Sequence, residues 1–317
     1  MSSCVPITQG LMNPNWRLAT AAGVFAVKQL RDATPAAVRR HHQVLPRLAE
    51  RGLPVPAPRA TRAGDSLCKI DGHWYAMIGW LPGVHRPGSQ LSLPDCRRLG
   101  ELVGQIHTGL REALPEAPPS LADDPRQVAD TVAELDRLAR AAAAGRDDFD
   151  RFATTEIAWR RSLLQEVARQ RPHTAAALRP VGWTHGDLNH LNLLFTGGRV
   201  SGVLDWDRLD VRTYGLEIVR TATLLFGTGD HGGGVDLPRI AAFTAGYRAQ
   251  VAISDDALRD AAHRRWWTHV CDTWFLRLHY DDNNRSCDHL FRTSGRLLRW
   301  WTDHRAALDA ALTAGSQ

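Results

Sequence analysis

The stretch Trp183-Thr-His-Gly-Asp-Leu-Asn-His-Leu-Asn-Leu-Leu-Phe195, followed by Val203-Leu-Asp-Trp-Asp207, restricts this chain more than any other part of it. Leu191, Leu193 and Phe195 alternate with Asn192 and Leu194, Thr196-Gly197-Gly198-Arg199 supplies a turn, and Val200 to Leu204 returns as a second apolar strand. Such a hairpin brings Asn192 and Asp205 side by side, with Asp187 on the loop that leads into it. A carboxylate on a tight loop, with two oxygen-bearing side chains across a hairpin, can position one base and two ligands of a hard cation around a polyphosphate. On that reading Asp187 accepts the proton of an attacking hydroxyl, and Asn192 and Asp205 hold Mg²⁺.

A protein-kinase catalytic loop has the same order of base, Asn, hairpin and metal-binding Asp. His185-Gly186-Asp187-Leu188-Asn189-His190-Leu191-Asn192 with Leu204-Asp205-Trp206-Asp207 resembles the aminoglycoside phosphotransferase and choline kinase superfamily, in its His-Gly-Asp variant. Four fixed residue types within eight positions arise by chance at roughly one in 10⁵ start points under average composition. The resemblance implies an α+β, two-lobed protein-kinase-like fold. Residues 1–82 would form a nucleotide-binding lobe, an antiparallel sheet plus one helix, and residues 83–317 a mainly helical lobe carrying the catalytic loop and the acceptor site. It also implies ATP as donor, with GTP as the alternative, together with Mg²⁺ and a small-molecule hydroxyl acceptor.

Taken in order, Trp16 to Thr20 and Val24 to Leu30 read as two strands joined by a turn, with Gly10, Asn13 and Asn15 before them. Val24, Ala26, Lys28 and Leu30 share one face of the second strand, so Lys28 points inward among apolar neighbours. By the resemblance Lys28 is the phosphate-binding lysine, and Gly10, Asn13 and Asn15 approach the phosphates. Thr34-Pro35 opens a helix reaching about Arg51. Here the chain departs from the family: His41 stands about where a glutamate would pair with the lysine, and no carboxylate lies between Asp32 and Glu50. A neutral His41 accepting a hydrogen bond from Lys28 is the expected, weaker substitute.

Asp71-Gly72 between two apolar runs predicts a hairpin, giving the small lobe about five strands. The family hinge would follow, with backbone groups of Ile78, Gly79, Trp80 and Leu81 meeting adenine. Beyond it helical periodicity dominates: Leu99, Leu102, Val103, Ile106 and Leu110 mark one helix, with others over 126–144, 148–170, 237–252, 255–280 and 286–314. His185 and Glu217 would brace the catalytic loop. Gly227 to Gly234 lacks the Gly-Lys-Ser/Thr ending of a phosphate loop and reads as surface.

Composition narrows the class. The net charge of +5 comes from arginines spread along 317 residues with no basic block, so nucleic acid is not indicated as a partner. Five cysteines, widely spaced and without a Cys-x-x-Cys pair, suit reduced thiols and a cytoplasmic protein. No run approaches the ~18 apolar residues of a membrane helix, and no feature calls for an obligatory protein partner. The sequence thus predicts an ATP- and Mg-dependent O-phosphotransferase. An aminoglycoside-type antibiotic is the leading acceptor, with choline, homoserine or a sugar as alternatives. A nucleotide-binding pseudokinase is the rival from another class. Asp207, Asp272, Trp274, Asp281 and Asp282 are the candidate acceptor-binding residues, since a cationic acceptor needs anionic or aromatic partners.

Overall fold

A computed structural model describes residues 3–8, 13–31, 33–173, 179–229 and 233–314. Its first part is a five-stranded antiparallel sheet of β1 (Ser3–Ile7), β2 (Asn15–Thr20), β3 (Gly23–Gln29), β4 (Leu67–Ile70) and β5 (His73–Gly79), in the order β1-β2-β3-β5-β4. The Asp71-Gly72 turn closes β4 onto β5 with positive φ at both residues, 49° and 81°, as a tight hairpin requires. Lys28 sits opposite Ala76 across β3 and β5, which fixes the face from which it projects.

Helix α1 (Pro35–Glu50) follows the sheet, with the Thr34 hydroxyl accepting from the Ala37 amide and Pro35 in its first turn. Its buried stripe divides between two cores. Val38 packs with Leu67 and Ala76 under the sheet, whereas Val44, Leu45 and Leu48 join the large core of the helical part. One rigid helix therefore couples the two halves.

The remainder is mostly helical: α2 (Leu93–Ala113), α3 (Val128–Ala144), α4 (Asp148–Val167), α5 (Tyr214–Leu225), α6 (Leu237–Arg248), α7 (Asp255–Val270), α8 (Trp274–Tyr280), α9 (Asp288–Asp303) and α10 (Arg305–Thr313). Ser92 and Asp95 form a capping box at the start of α2, whose Cys96, Leu99, Val103, Ile106 and Leu110 face the core. At Gly100 an added Cβ would stand 1.9 Å from the Phe243 carbonyl oxygen, so α2 and α6 meet backbone to backbone. Between α4 and α5 lie β6 (Val181–Thr184), β7 (Leu193–Thr196), β8 (Arg199–Val203) and β9 (Asp210–Thr213), paired β6 with β9 and β7 with β8.

The two-lobed α+β expectation holds, with one correction near the end of the chain. Each of the last two expected helices, 255–280 and 286–314, is split in two, at Cys271 to Thr273 and at His304. Apolar spacing runs unbroken through both points. At the first, Arg160 of α4 donates to the carbonyls of His269 and Asp272 at 3.1 Å, taking up acceptors that the break frees. The Asp272 carboxylate then accepts from the Trp274 amide at 2.9 Å and restarts the helix as α8.

Candidate active site

The catalytic loop runs from β6 to β7 and is held from three sides. His185 is fully buried, with Nε2 2.9 Å from the Leu204 carbonyl and Nδ1 accepting from the Asp187 amide at 3.2 Å. A carbonyl can only accept, so the proton sits on Nε2 and the ring is neutral. Burial, which lowers its pKa, enforces that state. Gly186 has φ of +82°, and a Cβ there would lie 2.3 Å from the Arg208 carbonyl oxygen, so neither its conformation nor its space admits a side chain.

Glu217, buried on α5, is the second support. Oε1 accepts from the Gly186 amide, and Oε2 lies 2.6 Å from Nε2 of the equally buried His107, whose Nδ1 meets the Tyr247 hydroxyl at 2.9 Å. Burial alone would raise its pKa, but the hydrogen bond and charge of His107 outweigh that and hold the carboxyl below its ordinary range. One helical turn on, Arg220 Nη2 reaches Asp187 Oδ1 at 2.6 Å. Arg220 was missed in the sequence, although its i+3 spacing from Glu217 put it on the same helix face.

Asn192 donates Nδ2 to the Asp187 carbonyl at 2.8 Å and to Oδ2 at 3.3 Å, which leaves its Oδ1 without a hydrogen bond among the described residues. The Leu204 amide donates to the Asn192 carbonyl at 2.8 Å, which joins the two ends of the hairpin. Asp205 then takes a left-handed backbone, φ 61° and ψ 68°, turning the chain sharply into Trp206 and Asp207. From the sheet, Lys28 Nζ stands 2.5 Å from Asp205 Oδ1 and 2.7 Å from Asp207 Oδ2. Burial disfavours the ammonium, yet the charges of Asp205 and Asp207 prevail and its pKa is raised.

Asp207 also lies 3.3 Å from Nδ2 of Asn13, whose Oδ1 accepts from the Arg31 amide. Asn15 donates to the Asn13 carbonyl, and Gly10 lies outside the described residues. The expected contact between His41 and Lys28 is absent. His41 lies against the Trp206 backbone, and His42 is the ring whose charge Lys28 would oppose. Both rings keep a buried Nδ1 without a partner.

At the hinge the Gly79 amide donates to the Ala57 carbonyl and that of Trp80 to Val24, whereas the Leu81 amide has no such partner among the described residues. Just beyond, Val84 exchanges backbone hydrogen bonds with Phe195 at 2.9 and 3.0 Å, docking the hinge on the catalytic hairpin. Asp272 lies in the break before α8, and Trp274 is the first residue of that helix. Asp281 accepts both nitrogens of Arg137 at 2.7 Å, and Asp282 is exposed. A cavity of about 380 Å³ on the sheet, lined by Trp16, Val27, Tyr75 and Met77 among others, includes none of the constellation.

The donor set suits magnesium. Hard oxygens are what it takes, with few protein ligands and the rest from phosphate and water. Asp205 offers a carboxylate already gathered round a positive charge, and Asn192 a free amide oxygen. Among the described residues no three His, Cys, Asp or Glu side chains cluster as a self-sufficient metal site.

A sheet lobe with an inward lysine, joined by a hinge to a helical lobe bearing an Asp–Asn–Asp loop, defines the kinase-like phosphotransferases as a class. Within it the chain belongs to the phosphotransferase enzyme family, whose model matches residues 3–253. The homoserine kinase of Afipia carboxidovorans is 30% identical over 201 residues, covering 63% of this chain and 56% of that protein. The chain thus spans little more than half of that relative's length. Among solved structures, a microcompartment-associated aminopropanol kinase superposes with a TM-score of 0.63 at 15% identity, over 98% of this chain and 94% of its own. Spectinomycin phosphotransferase in complex with ADP and spectinomycin does so with 0.61 at 13%, over 98% and 92%.

Proposed function

We propose that the protein is an ATP- and magnesium-dependent O-phosphotransferase acting on a small molecule. The observation that carries this reading is that Asn192 is hydrogen-bonded to Asp187 and, through the Leu204 amide, to the strand that leads into Asp205, with Lys28 reaching Asp205 from the sheet. In the reaction Asp187 would orient the acceptor hydroxyl and take its proton as the oxygen bonds to the γ-phosphorus. The bond from phosphorus to the bridging oxygen breaks, and ADP leaves with that electron pair. Lys28 would bind the phosphates, and Asn192 and Asp205 would hold Mg²⁺, which supplies charge neutralisation on the phosphoryl oxygens. Arg220 fixes the Asp187 carboxylate through one oxygen, and each oxygen keeps a further lone pair for the hydroxyl.

The lack of a helix carboxylate near His41 would favour a pseudokinase, since the lysine would then have no anion to hold it. Lys28 nevertheless has two carboxylate partners, Asp205 and Asp207, which removes that argument. For the acceptor, a small hydroxylated amine or amino acid is favoured over an aminoglycoside. Asp281, one of the acids expected to meet a polycation, is already neutralised by Arg137, and the names of the relatives support the smaller acceptor. The test is ADP release over homoserine, aminopropanol, choline and aminoglycosides, with Asp187→Asn as control. General-base loss costs typically ~10²- to 10⁴-fold, so kcat should fall by that order with ATP binding kept. A variant with wild-type kcat would contradict the assignment.

A further inference from the structure

Lys28 is held by two carboxylates, and neither comes from the helix that packs on its sheet. Val38 of α1 packs with Ala76 of β5, the residue opposite Lys28 across the strands. His42, one helical turn on from Val38, is therefore the position on α1 from which an acid would reach the ammonium. No acid stands there. The only carboxylate within the helix is Glu50, exposed at its far end and about 12 Å further along the axis.

Asp205 and Asp207 reach Lys28 from the helical lobe, at 2.5 and 2.7 Å, but they are not equivalent. The side chain of Asp205 is 39% exposed and that of Asp207 17%. Asp207 lies inside the short turn Trp206–Arg208, which is pinned by the buried Trp206, whose indole donates to the Val203 carbonyl at 2.8 Å. The Asp207 oxygen that meets Lys28, Oδ2, also accepts from Asn13 Nδ2 at 3.3 Å, and Asn13 accepts from the Arg31 amide at 2.9 Å. Asn15, which donates to the Asn13 carbonyl, sits opposite Lys28 on β2. Asp207 is thus joined to the small lobe through Asn13 as well as through the lysine. An ammonium has three N–H donors. With both carboxylates on it one is left for a phosphate; with Asp205 turned to a metal ion two are free, and Asp207 still fixes the direction of the third.

We infer that Asp207 is the standing partner of Lys28, a positioning residue that replaces the missing helix carboxylate, while Asp205 is the partner the lysine gives up to the metal. Because Asp207 belongs to the helical lobe, the lysine is aligned by the approach of the two lobes and not by the setting of α1. The inference rests on the kinase reading above.

The experiment uses the full chain, with the acceptor that wild type turns over in the panel above and with calorimetry of ADP in EDTA and in magnesium. Asp207→Asn should lower kcat by about 10²-fold, the cost of a misplacement near 1 Å. Its acceptor KM and its gain in ADP affinity on adding magnesium should both be kept, whereas Asp205→Asn should lose the magnesium gain. His42→Glu placed in the Asp207→Asn background should recover part of the lost kcat, because it returns an acid to the helix face beside Lys28. A defect confined to the turn at Asp207 would not respond to that change. Melting temperatures show whether each variant is folded; if the double variant is not, Asp207→Glu decides, since with its charge kept it should retain more of kcat than Asp207→Asn. The inference is overturned by an Asp207→Asn enzyme with wild-type kcat, or by one that loses the magnesium gain, which would make Asp207 a metal ligand. A folded double variant as slow as Asp207→Asn, or equal kcat in the Glu and Asn variants, also overturns it. Each of these leaves the kinase reading intact. A wild-type chain that neither binds ADP nor yields a phosphorylated product from any acceptor removes the kinase reading and the inference together.

Discussion

Glu217 shows how much of the site depends on a residue that touches no substrate. Its two oxygens serve a backbone amide of the catalytic loop and the ring of His107, both inside the protein. Replacing it by alanine leaves the Gly186 N–H and the His107 ring with buried, unpaired groups. Breaking one side of a buried charged pair costs about 3–5 kcal/mol. Glu217→Ala should therefore lower the unfolding free energy from urea titration by that order, and kcat should fall more than KM for ATP rises, because the damage lies at Gly186 and Asp187. The pH dependence follows from the direction of the shift. The folded carboxyl titrates below its ordinary value, so its stabilisation is complete above the unfolded pKa and is lost as pH falls through the folded one. Urea titrations at pH 7 and pH 4 check this: the gap between wild type and variant should narrow at the lower pH. At this scale the spacing of one motif placed Asp187, Asn192 and Asp205, and the resemblance added His185 and Glu217; the structure gathers the loop residues and sets Glu217 of α5 against them. Arg220 was placed by neither, since arginines are scattered along the chain and only tertiary packing brings this one to Asp187.

Helix α1 carries the chain's departure from the family pattern at the level of an element. Its cap, its proline and its apolar stripe were readable, but the direction in which His41 and His42 point was not. Adjacent helical residues lie 100° apart, so a small rotation exchanges their neighbours. The rotation adopted sets His41 against the Trp206 backbone, next to the turn that presents Asp205. Both imidazoles are held at about 4, chiefly by burial, aided by Arg40 for His41 and by His41 and Lys28 for His42. An unfolded chain binds these protons near 6.5, so the unfolded state gains them first and stability falls as pH drops from about 6.5 to 4. A His41→Gln/His42→Gln variant should show a flatter decline of melting temperature over that window than wild type. Parallel curves would mean that neither ring is buried in its neutral form. The split of the last helices belongs to this scale as well. Spacing reports which face is buried, and Arg160, 109 residues from the carbonyl of His269, decides where the helix stops.

At the scale of the molecule, the lobes meet at the groups proposed above to handle the phosphates. Lys28 comes from the sheet, Asp205 and Asp207 from the helical part, and one ammonium touches both carboxylates. The resemblance implies the lysine and the aspartate as ligands of one nucleotide; that they bind each other depends on how far the lobes approach. Removing the ammonium in Lys28→Met leaves two like charges facing each other near the lobe boundary. The variant should melt below wild type in magnesium-free buffer. Magnesium alone should recover part of the loss, since a divalent cation at Asp205 replaces the missing positive charge, while wild type should respond less. Adding ADP with magnesium stabilises whichever protein binds it by RT ln(1 + [L]/Kd), about 2.7 kcal/mol at a hundredfold excess over Kd. That gain should be clear in wild type and smaller at the same concentration in Lys28→Met, where the phosphates lose their partner. Thermal melts over a magnesium series, with and without ADP, read all three effects. A Lys28→Met protein indifferent to magnesium, with an undiminished response to ADP, would show that the lysine and the two aspartates do not share a nucleotide site.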